Sequence, residues 1–336
     1  MIISRRFVGT LAVVLLALLV SGVVVWRSRP PPPAAEPLVV AVAVSVFGAP
    51  LWVADRQGFL AEEGLQATLR RYPTGKLAME AMVQGEAEVA TVAETPIMFA
   101  SLVGTPLRVI ANFASSSEQS IVARTDRGIR QVTDLRGRRI GVTLGTTAHY
   151  VLHVLLSDQG LSEADVELVP LPVTEQAAVL AAGRVDAVST FAPYSTQCRR
   201  ALGDQAQTFM TGIRYVGYAS LVVAPDFTHR RPEATRRLLR ATERAILWMR
   251  AHPQEAVAIA AEATGQEAPS LQETVDSIRA NLGLDQGFVV LLQAEARWAI
   301  AAGLAPGATV PDYLDLVDAS PLAQLHPEAV TLIQRP

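Results

Sequence analysis

The chain has 336 residues, of which half are hydrophobic and 18% are charged, so it is long enough for two compact lobes and too apolar for a disordered protein. Its formal net charge of −3 argues against a non-specific nucleic-acid binder. The single cysteine, Cys198, excludes an internal disulfide and a zinc or iron–sulfur site built on cysteines.

The chain begins with a predicted membrane or export segment. Residues 7–26 carry no charge and, at about 1.5 Å per residue, reach roughly 30 Å, the thickness of a bilayer's hydrocarbon core. Arg5 and Arg6 precede this run, and arginines there hold that end in the cytoplasm. Residues 29–37 are rich in proline and predict an extended spacer. We expect residues 1–37 to be a cleaved signal or an uncleaved anchor, with the remainder on the periplasmic or extracellular face of the cytoplasmic membrane.

The next part of the chain alternates strands and helices. Runs of β-branched and apolar residues predict strands at residues 38–44, 66–72, 88–92 and 107–113. The intervening segments predict helices with proline near the start and glycine just past the end, as between Pro96 and Gly104. Strands separated by helices form mostly parallel sheets, so this part predicts an α/β lobe.

A second alternating set follows a strand at residues 120–124. Strands are predicted at residues 139–143, 166–171, 186–191 and 216–223, and helices at residues 146–159, 175–182 and 193–202. Four or five helices, the first at residues 232–250, are predicted to complete the chain. We expect lobe 1 to comprise residues 38–124 and 225–336, with the helical tail folding back on it, and lobe 2 to comprise residues 125–224.

Three motifs carry a resemblance to a known family. DLRGRRIGV (134–142) is similar to the family's entry into its second lobe, GTTAHY (145–150) to its polar turn before a helix, and AGRVDA with FAPY (182–187 and 191–194) to its strand and aromatic turn. Their order and spacing make residues 38–247 resemble the solute-binding proteins of ABC importers, in the branch of the nitrate, taurine and alkanesulfonate receptors and the thiamine-pyrimidine-precursor proteins. The resemblance implies a type II periplasmic-binding-protein fold. In that fold two crossover strands join the lobes, and hinge closure traps a small solute for delivery to permease subunits.

Polar and glycine-containing turns at the predicted strand ends are the candidate ligand contacts, because ligands of open α/β sheets bind beyond the carboxyl ends of the strands. Thr146 and Thr147 open a helix whose free N–H groups favour an anion. Capping of that helix is the commoner use of threonine there, and it stays open as the alternative. The other candidates are Phe47, Gly48, Thr74, Gly75, Glu94, Thr95, Ser116, Phe191 and Tyr194. Together they predict a site for a small anionic solute of the sulfonate or nitrate class.

Other chemistry has less support in the sequence. His149 and His153 share one helix face, but no third ligand is evident, so we expect no metal. No Gly-x-Ser-x-Gly elbow, P-loop or His-Glu-x-x-His motif occurs, so we expect neither catalysis nor a cofactor. In the family, the residue before the proline of FAPY is commonly acidic, whereas Ala192 here puts recognition of an amino group, as in taurine, in doubt. The alternatives are a membrane-anchored solute sensor and an enzyme resembling thiamine pyrimidine synthase, for which Lys76 would be the pyridoxal-phosphate lysine but no donor histidine precedes His149.

Overall fold

The computed structural model describes residues 35–117, 119–212, 215–268, 271, 272, 275 and 278–333. Apart from the end of its spacer, the predicted membrane or export segment lies outside these residues. Within them, no helix combines the length and the apolar composition that a membrane crossing needs. The described residues from Glu36 onward belong to one compact unit, whose strands form two sheets.

The strands and helices are named here in chain order. The strands are β1 (Glu36–Ala43), β2 (Leu65–Tyr72), β3 (Val89–Ala93), β4 (Arg108–Ser116), β5 (Ser120–Arg124), β6 (Arg139–Val142), β7 (Glu167–Pro170), β8 (Ala187–Thr190), β9 (Ala206–Met210), β10 (Gly217–Val223), β11 (Arg279–Asp285) and β12 (Val330–Thr331). The helices are α1 (Ala49–Arg56), α2 (Phe59–Glu62), α3 (Gly75–Val83), α4 (Glu94–Leu102), α5 (Thr147–Asp158), α6 (Gln176–Ala181), α7 (Tyr194–Leu202), α8 (Phe227–Arg230), α9 (Pro232–Ala251), α10 (Pro253–Thr264), α11 (Gln286–Ala301) and α12 (Ser320–Leu325).

The first sheet, with its helices, is lobe 1. Its seven strands lie in the order β12-β11-β4-β10-β3-β1-β2. β1 pairs in parallel with β2 and β3, whereas β10 runs antiparallel between β3 and β4. Fully buried side chains such as Val40 of β1, Leu51 of α1 and Leu239 of α9 belong to one hydrophobic core. The helices of the tail therefore stabilise the same lobe as the first strands of the chain.

The second sheet, with its helices, is lobe 2. Its five strands lie in the order β7-β6-β8-β5-β9, with β6 parallel to β7 and β8 and with β5 antiparallel to β8 and β9. Because successive strand residues point to opposite faces, Ile121 of β5 packs with Leu152 of α5, whereas Val122 packs in a separate cluster with Leu180 of α6. Both faces of this sheet are therefore covered by helices.

The chain passes between the sheets twice, first between β4 and β5 and then between β9 and β10. This confirms the predicted two-lobed α/β fold with two crossovers. The strand pairing differs from the predicted lobe boundaries: β5 pairs with strands of lobe 2, not lobe 1, and β10 pairs with strands of lobe 1, not lobe 2. The reason is physical, since a strand belongs to the sheet that satisfies its backbone hydrogen bonds, and order along the chain does not reveal those partners.

The sequence predicted a helical C-terminal tail, but the structure shows that the tail also contains two strands. β11 pairs antiparallel with β4, and β12 pairs in parallel with β11, so the tail adds two strands to the first sheet. The sequence of β11, RANLGLD, contains asparagine, glycine and aspartate, which are depleted in strands. Its position beside β4 overrides that low propensity, which explains why no strand was predicted there.

Candidate functional site

A small cavity lies between the lobes, where several strands end. Its volume is about 60 Å³. A space of this size suits only a small molecule. Six buried hydroxyl side chains line it: Ser45, Thr74, Thr91, Ser116, Thr146 and Thr147. Since the hydroxyls come from both lobes, the cavity can hydrogen-bond a small polar solute from several sides.

The structure brings together seven of the eleven predicted site residues. Those that line the cavity are Phe47, Thr74, Gly75, Ser116, Thr146, Thr147 and Phe191. The other four, Gly48, Glu94, Thr95 and Tyr194, are buried but do not line it. These four residues contact other parts of the fold.

Gly48 and Tyr194 hold the cavity walls in place. A Cβ at Gly48 would lie 2.8 Å from both the carbonyl oxygen of Ala43 and the indole nitrogen of Trp52, so this turn packs too closely for a side chain. Tyr194 donates its hydroxyl to the carbonyl oxygen of Pro73 at 3.1 Å, across the two lobes. Its ring meets the ring of Phe191 edge to face, with centroids 5.7 Å apart. Tyr194 thus orients Phe191, which does line the cavity.

Helix α3 begins at the cavity from lobe 1. Thr74 is its N-cap, because its Oγ1 accepts a hydrogen bond from the backbone N–H of Leu77 at 3.2 Å. A Cβ at Gly75 would lie 3.1 Å from the Cα of Val92 and 3.2 Å from the carbonyl oxygen of Thr91. Gly75 therefore allows the start of α3 to pack directly against β3.

Helix α5 begins at the cavity from lobe 2 and is not capped in the same way. The Oγ1 of Thr146 donates to the carbonyl oxygen of Thr143 at 2.7 Å and accepts no hydrogen bond from the first turn of α5. Thr74 therefore caps its helix, whereas the side chain of Thr146 does not cap α5. The first turn of α5 keeps uncapped N–H groups beside the cavity, a geometry that favours an anion.

Two further lining residues, Lys76 and Gln119, were not predicted as ligand contacts. Lys76, in the first turn of α3, donates from Nζ to the carbonyl oxygen of Leu144 in lobe 2 at 3.5 Å. Gln119 lies in the first crossover, is 3% exposed, and its Oε1 has no hydrogen-bond partner among the described residues. The sequence carried a signal for Lys76, since it is the only lysine, but none for Gln119, whose place depends on where the chain crosses between the lobes.

Glu94 lies behind the cavity and joins three segments of the fold. One carboxylate oxygen accepts from the backbone N–H of Tyr218 at 2.7 Å; the other accepts from the hydroxyl of Tyr215 and from Thr147 Oγ1, which is 3.3 Å away. Complete burial raises the pKa of Glu94, and the hydrogen bonds from Tyr215 and Tyr218 oppose part of that rise. Glu94 therefore connects α4 of lobe 1 with α5 of lobe 2 and with the second crossover.

Thr95 connects Glu94 to a second buried carboxyl group. Its Oγ1 lies 2.7 Å from Glu295 Oε1 on α11 and 3.3 Å from Glu94 Oε1. The other oxygen of Glu295 has no hydrogen-bond partner among the described residues. Burial, and then the charge of Glu94, raise the pKa of Glu295 well above its ordinary value. Glu94 accepts hydrogen bonds from Tyr215, Tyr218 and Thr147, whereas Glu295 accepts one from Thr95, so the protonated form is favoured more strongly at Glu295.

Trp298 of α11 makes a second contact between the lobes. Its indole N–H donates to Glu163 of lobe 2 at 3.2 Å, and its ring centroid lies 5.0 Å from that of His149 and 5.1 Å from that of Tyr150. His149 Nε2 is 3.4 Å from Glu163. In the described part of the chain, no cluster of His, Cys, Asp and Glu side chains is arranged to hold a metal ion.

Sequence comparison relates the chain to one family. The sequence profile of the family described as NMT1/THI5 like matches residues 48–256. The taurine-binding periplasmic protein of Escherichia coli (strain K12) is 26% identical over 208 residues, which is 60% of this chain and 63% of that protein. The match therefore spans less than two thirds of the length of this relative.

Solved structures share the fold. The alkanesulfonate-binding protein SsuA from Xanthomonas axonopodis pv. citri, bound to MOPS, is 20% identical with a TM-score of 0.74, over 86% of this chain and 100% of that one. The desulfurization enzyme DSZB is 19% identical with a TM-score of 0.64, over 87% of this chain and 99% of that one. At such identities the likeness shows the fold alone, and this fold serves a binding protein and an enzyme alike.

Proposed function

The chain belongs to the NMT1/THI5-like family, and we propose that it is an extracytoplasmic solute-binding protein that delivers a small anionic solute to the permease of an ABC importer. The observation that carries this proposal is the buried, hydroxyl-lined cavity between the two lobes. The names of the taurine-binding relative and of the alkanesulfonate-binding structure support a role in binding. We further propose that residues 1–37 export the chain or anchor it to the membrane.

The lining of the cavity supports an anion as the solute. The uncapped start of α5, the hydroxyls and the lysine are all hydrogen-bond donors, and helix N-termini favour negative charge. A cavity of about 60 Å³ suits a solute with few non-hydrogen atoms. Nitrate and short alkanesulfonates meet both conditions.

Closure of the lobes supplies the mechanism of capture. The hydrogen bonds that cross between the lobes include those from Lys76 Nζ to Leu144, from Tyr194 to Pro73, from Thr147 to Glu94 and from Trp298 to Glu163. These contacts form only when the lobes are together, whereas a solute in the cavity adds contacts to both lobes at once. The solute thereby shifts the open–closed equilibrium toward the closed form, which we propose is the form that the permease recognises.

A thermal-shift experiment tests this proposal. The full-length protein in detergent is heated with nitrate, methanesulfonate, ethanesulfonate or taurine, each over a concentration series. A solute at 100 times its dissociation constant adds about 2.7 kcal/mol of stability. For a cooperative unit of about 300 residues this raises the melting temperature by roughly 4 °C. Unchanged melting with every one of these solutes would contradict the proposal.

Variants locate the site. The double substitution Thr146→Val and Thr147→Val removes two lining hydroxyls and should weaken binding about tenfold or more. The matched control is Thr242→Val in α9, which removes a buried hydroxyl that donates to the carbonyl oxygen of Leu238 at 2.8 Å, outside the cavity. Equal affinities in the double variant and the control would remove Thr146 and Thr147 from the site.

A further inference from the structure

We propose that Lys76 determines solute specificity: its ammonium group pairs with the anionic group of the solute and selects net anions over zwitterions that carry an ammonium group. This inference rests on the proposed function. Lys76 is the only lysine of the chain and lies among the residues that line the cavity.

The ammonium group of Lys76 lies across the cleft from its own lobe. Its Nζ is 3.5 Å from the carbonyl oxygen of Leu144, and a Cβ added at Gly145 would be 3.4 Å from the same nitrogen. Leu144 and Gly145 form the turn that leads into α5, whose start carries Thr146 and Thr147. The ammonium nitrogen therefore lies beside the turn that precedes α5, where the cavity borders a neighbouring pocket that Glu80, Leu144 and Gly145 also line.

No acidic group neutralises this charge in the described part of the chain. The one hydrogen bond of Lys76 there is long, at 3.5 Å, and an ammonium group has three donors to offer. Several arginines outside the cleft do have such partners: Arg240 and Arg244 of α9 pair with Glu63, and Arg231 pairs with Glu36. A cation at the cavity wall that has no carboxylate partner suits an anion that arrives from outside.

The rest of the wall offers nothing to an ammonium group. Among the described residues that line the cavity, Lys76 is the only charged one, and Ala192 takes the place before the proline of the aromatic turn. The nearby carboxylate of Glu94 already accepts hydrogen bonds from Tyr215, Thr147 and the backbone of Tyr218. An ammonium group on the solute would lose its hydration, find no carboxylate with free capacity and be repelled by Lys76.

The comparison of ethanesulfonate with taurine tests the inference, because taurine is ethanesulfonate with an ammonium group on its terminal carbon. The full-length protein in detergent is titrated calorimetrically with ethanesulfonate, nitrate and taurine. We expect ethanesulfonate to bind at least about tenfold more tightly than taurine. In Lys76→Met the affinity for the two anions should fall about 10- to 100-fold, and the affinity for taurine should change much less. Lys76→Arg should keep the preference for anions.

Two controls separate charge selection from a merely structural role. Arg56→Met removes an exposed positive charge on α1 that pairs with Glu262 at 3.1 Å, and it should leave all three affinities unchanged. Labelling the single lysine with ¹⁵N gives one Nζ resonance, which should shift on addition of ethanesulfonate. Taurine binding as tight as ethanesulfonate binding, or wild-type anion affinities in Lys76→Met, would overturn the inference while leaving the proposed function intact. A wild-type protein that binds none of the three solutes would instead overturn the proposed function and, with it, this inference.

Discussion

Replacing Glu295 by glutamine should make the protein more resistant to alkaline destabilisation. Glu295 is completely buried, accepts a hydrogen bond from Thr95 and faces the charge of Glu94 through that hydroxyl. Burial, followed by the charge of Glu94, raises its pKa, so the folded protein keeps the proton that the unfolded chain releases. Glutamine has nearly the same shape and carries no charge at any pH.

The size of the effect follows from proton linkage. In the unfolded chain a glutamate titrates near pH 4.3, so above that pH folding requires uptake of one proton at Glu295. Because the pKa of Glu295 is raised in the folded state, the contribution of its protonated form to the free energy of unfolding is fully present below the unfolded pKa. This contribution is lost as the pH rises toward the folded pKa. The free energy of unfolding falls by about 1.4 kcal/mol per pH unit from this group alone. As the pH rises from 5.5 to 7.5 the variant should therefore gain stability relative to the wild type.

Urea unfolding at pH 5.5, 6.5 and 7.5 measures this gain for the wild type and for Glu295→Gln. The slope of the difference against pH is the diagnostic quantity, since any change in packing caused by the substitution shifts both ends equally. Glu255→Gln on α10 serves as the control, because Glu255 is exposed and its replacement should leave the pH dependence unaltered. A difference between Glu295→Gln and the wild type that stays constant over this pH range would refute the assignment of the proton to Glu295.

Three further predictions follow from the contacts between elements. Trp298→Phe keeps an aromatic ring between the lobes but removes the hydrogen bond to Glu163, which should lower the population of the closed form. The solute affinity measured by calorimetry should therefore fall by about tenfold. An unchanged affinity would show that this contact does not stabilise the closed form. Cys198 is fully buried, and burial raises the pKa of its thiol to about 12. The thiol should therefore react with an aromatic disulfide reagent only after denaturation. Rapid reaction in the native protein would contradict the packing of lobe 2. His326 donates a hydrogen bond from Nε2 to Glu243 at 2.9 Å, and this bond raises the pKa of the histidine. The stabilisation from this pair is therefore present at low pH and is lost as the pH rises through the raised pKa. His326→Ala should lower the melting temperature more at pH 5.5 than at pH 9, and equal losses would refute the pairing.

The order of most strands and helices was predictable because the hydrophobic pattern of each segment is local, but β9, β11 and β12 were not predicted. The helix predicted at residues 193–202 is α7, and the one predicted at residues 232–250 is α9, since glycine and proline mark helix ends within a few residues. The sheet that receives each strand was not predictable in the same way. β5 and β10 lie next to the crossovers, and only their hydrogen-bond partners, which are distant in the sequence, decide which lobe they join.

The candidate site was predictable where it follows from strand ends. Thr146 and Thr147 line the cavity because the carboxyl ends of strands in an α/β sheet open on one side. Glu94 also follows a strand end, yet its carboxylate turns toward Tyr215, a partner 121 residues away. Lys76 sits one position past the predicted turn, and only the approach of the second lobe gives its ammonium group a place in the cleft. Contacts between lobes thus explain why Glu94 lies behind the cavity and why Lys76 was not predicted to line it.

The position of β10 between β3 and β4 also fixes an order of assembly. Every strand of lobe 2 comes from one continuous stretch, residues 120–210, so that sheet can be completed as soon as the stretch leaves the ribosome. The sheet of lobe 1 is completed later, because β10, which pairs with both β3 and β4, is formed by residues 217–223. During synthesis two open strand edges therefore remain on the N-terminal half of the chain, which makes this half the one that depends on protection from aggregation.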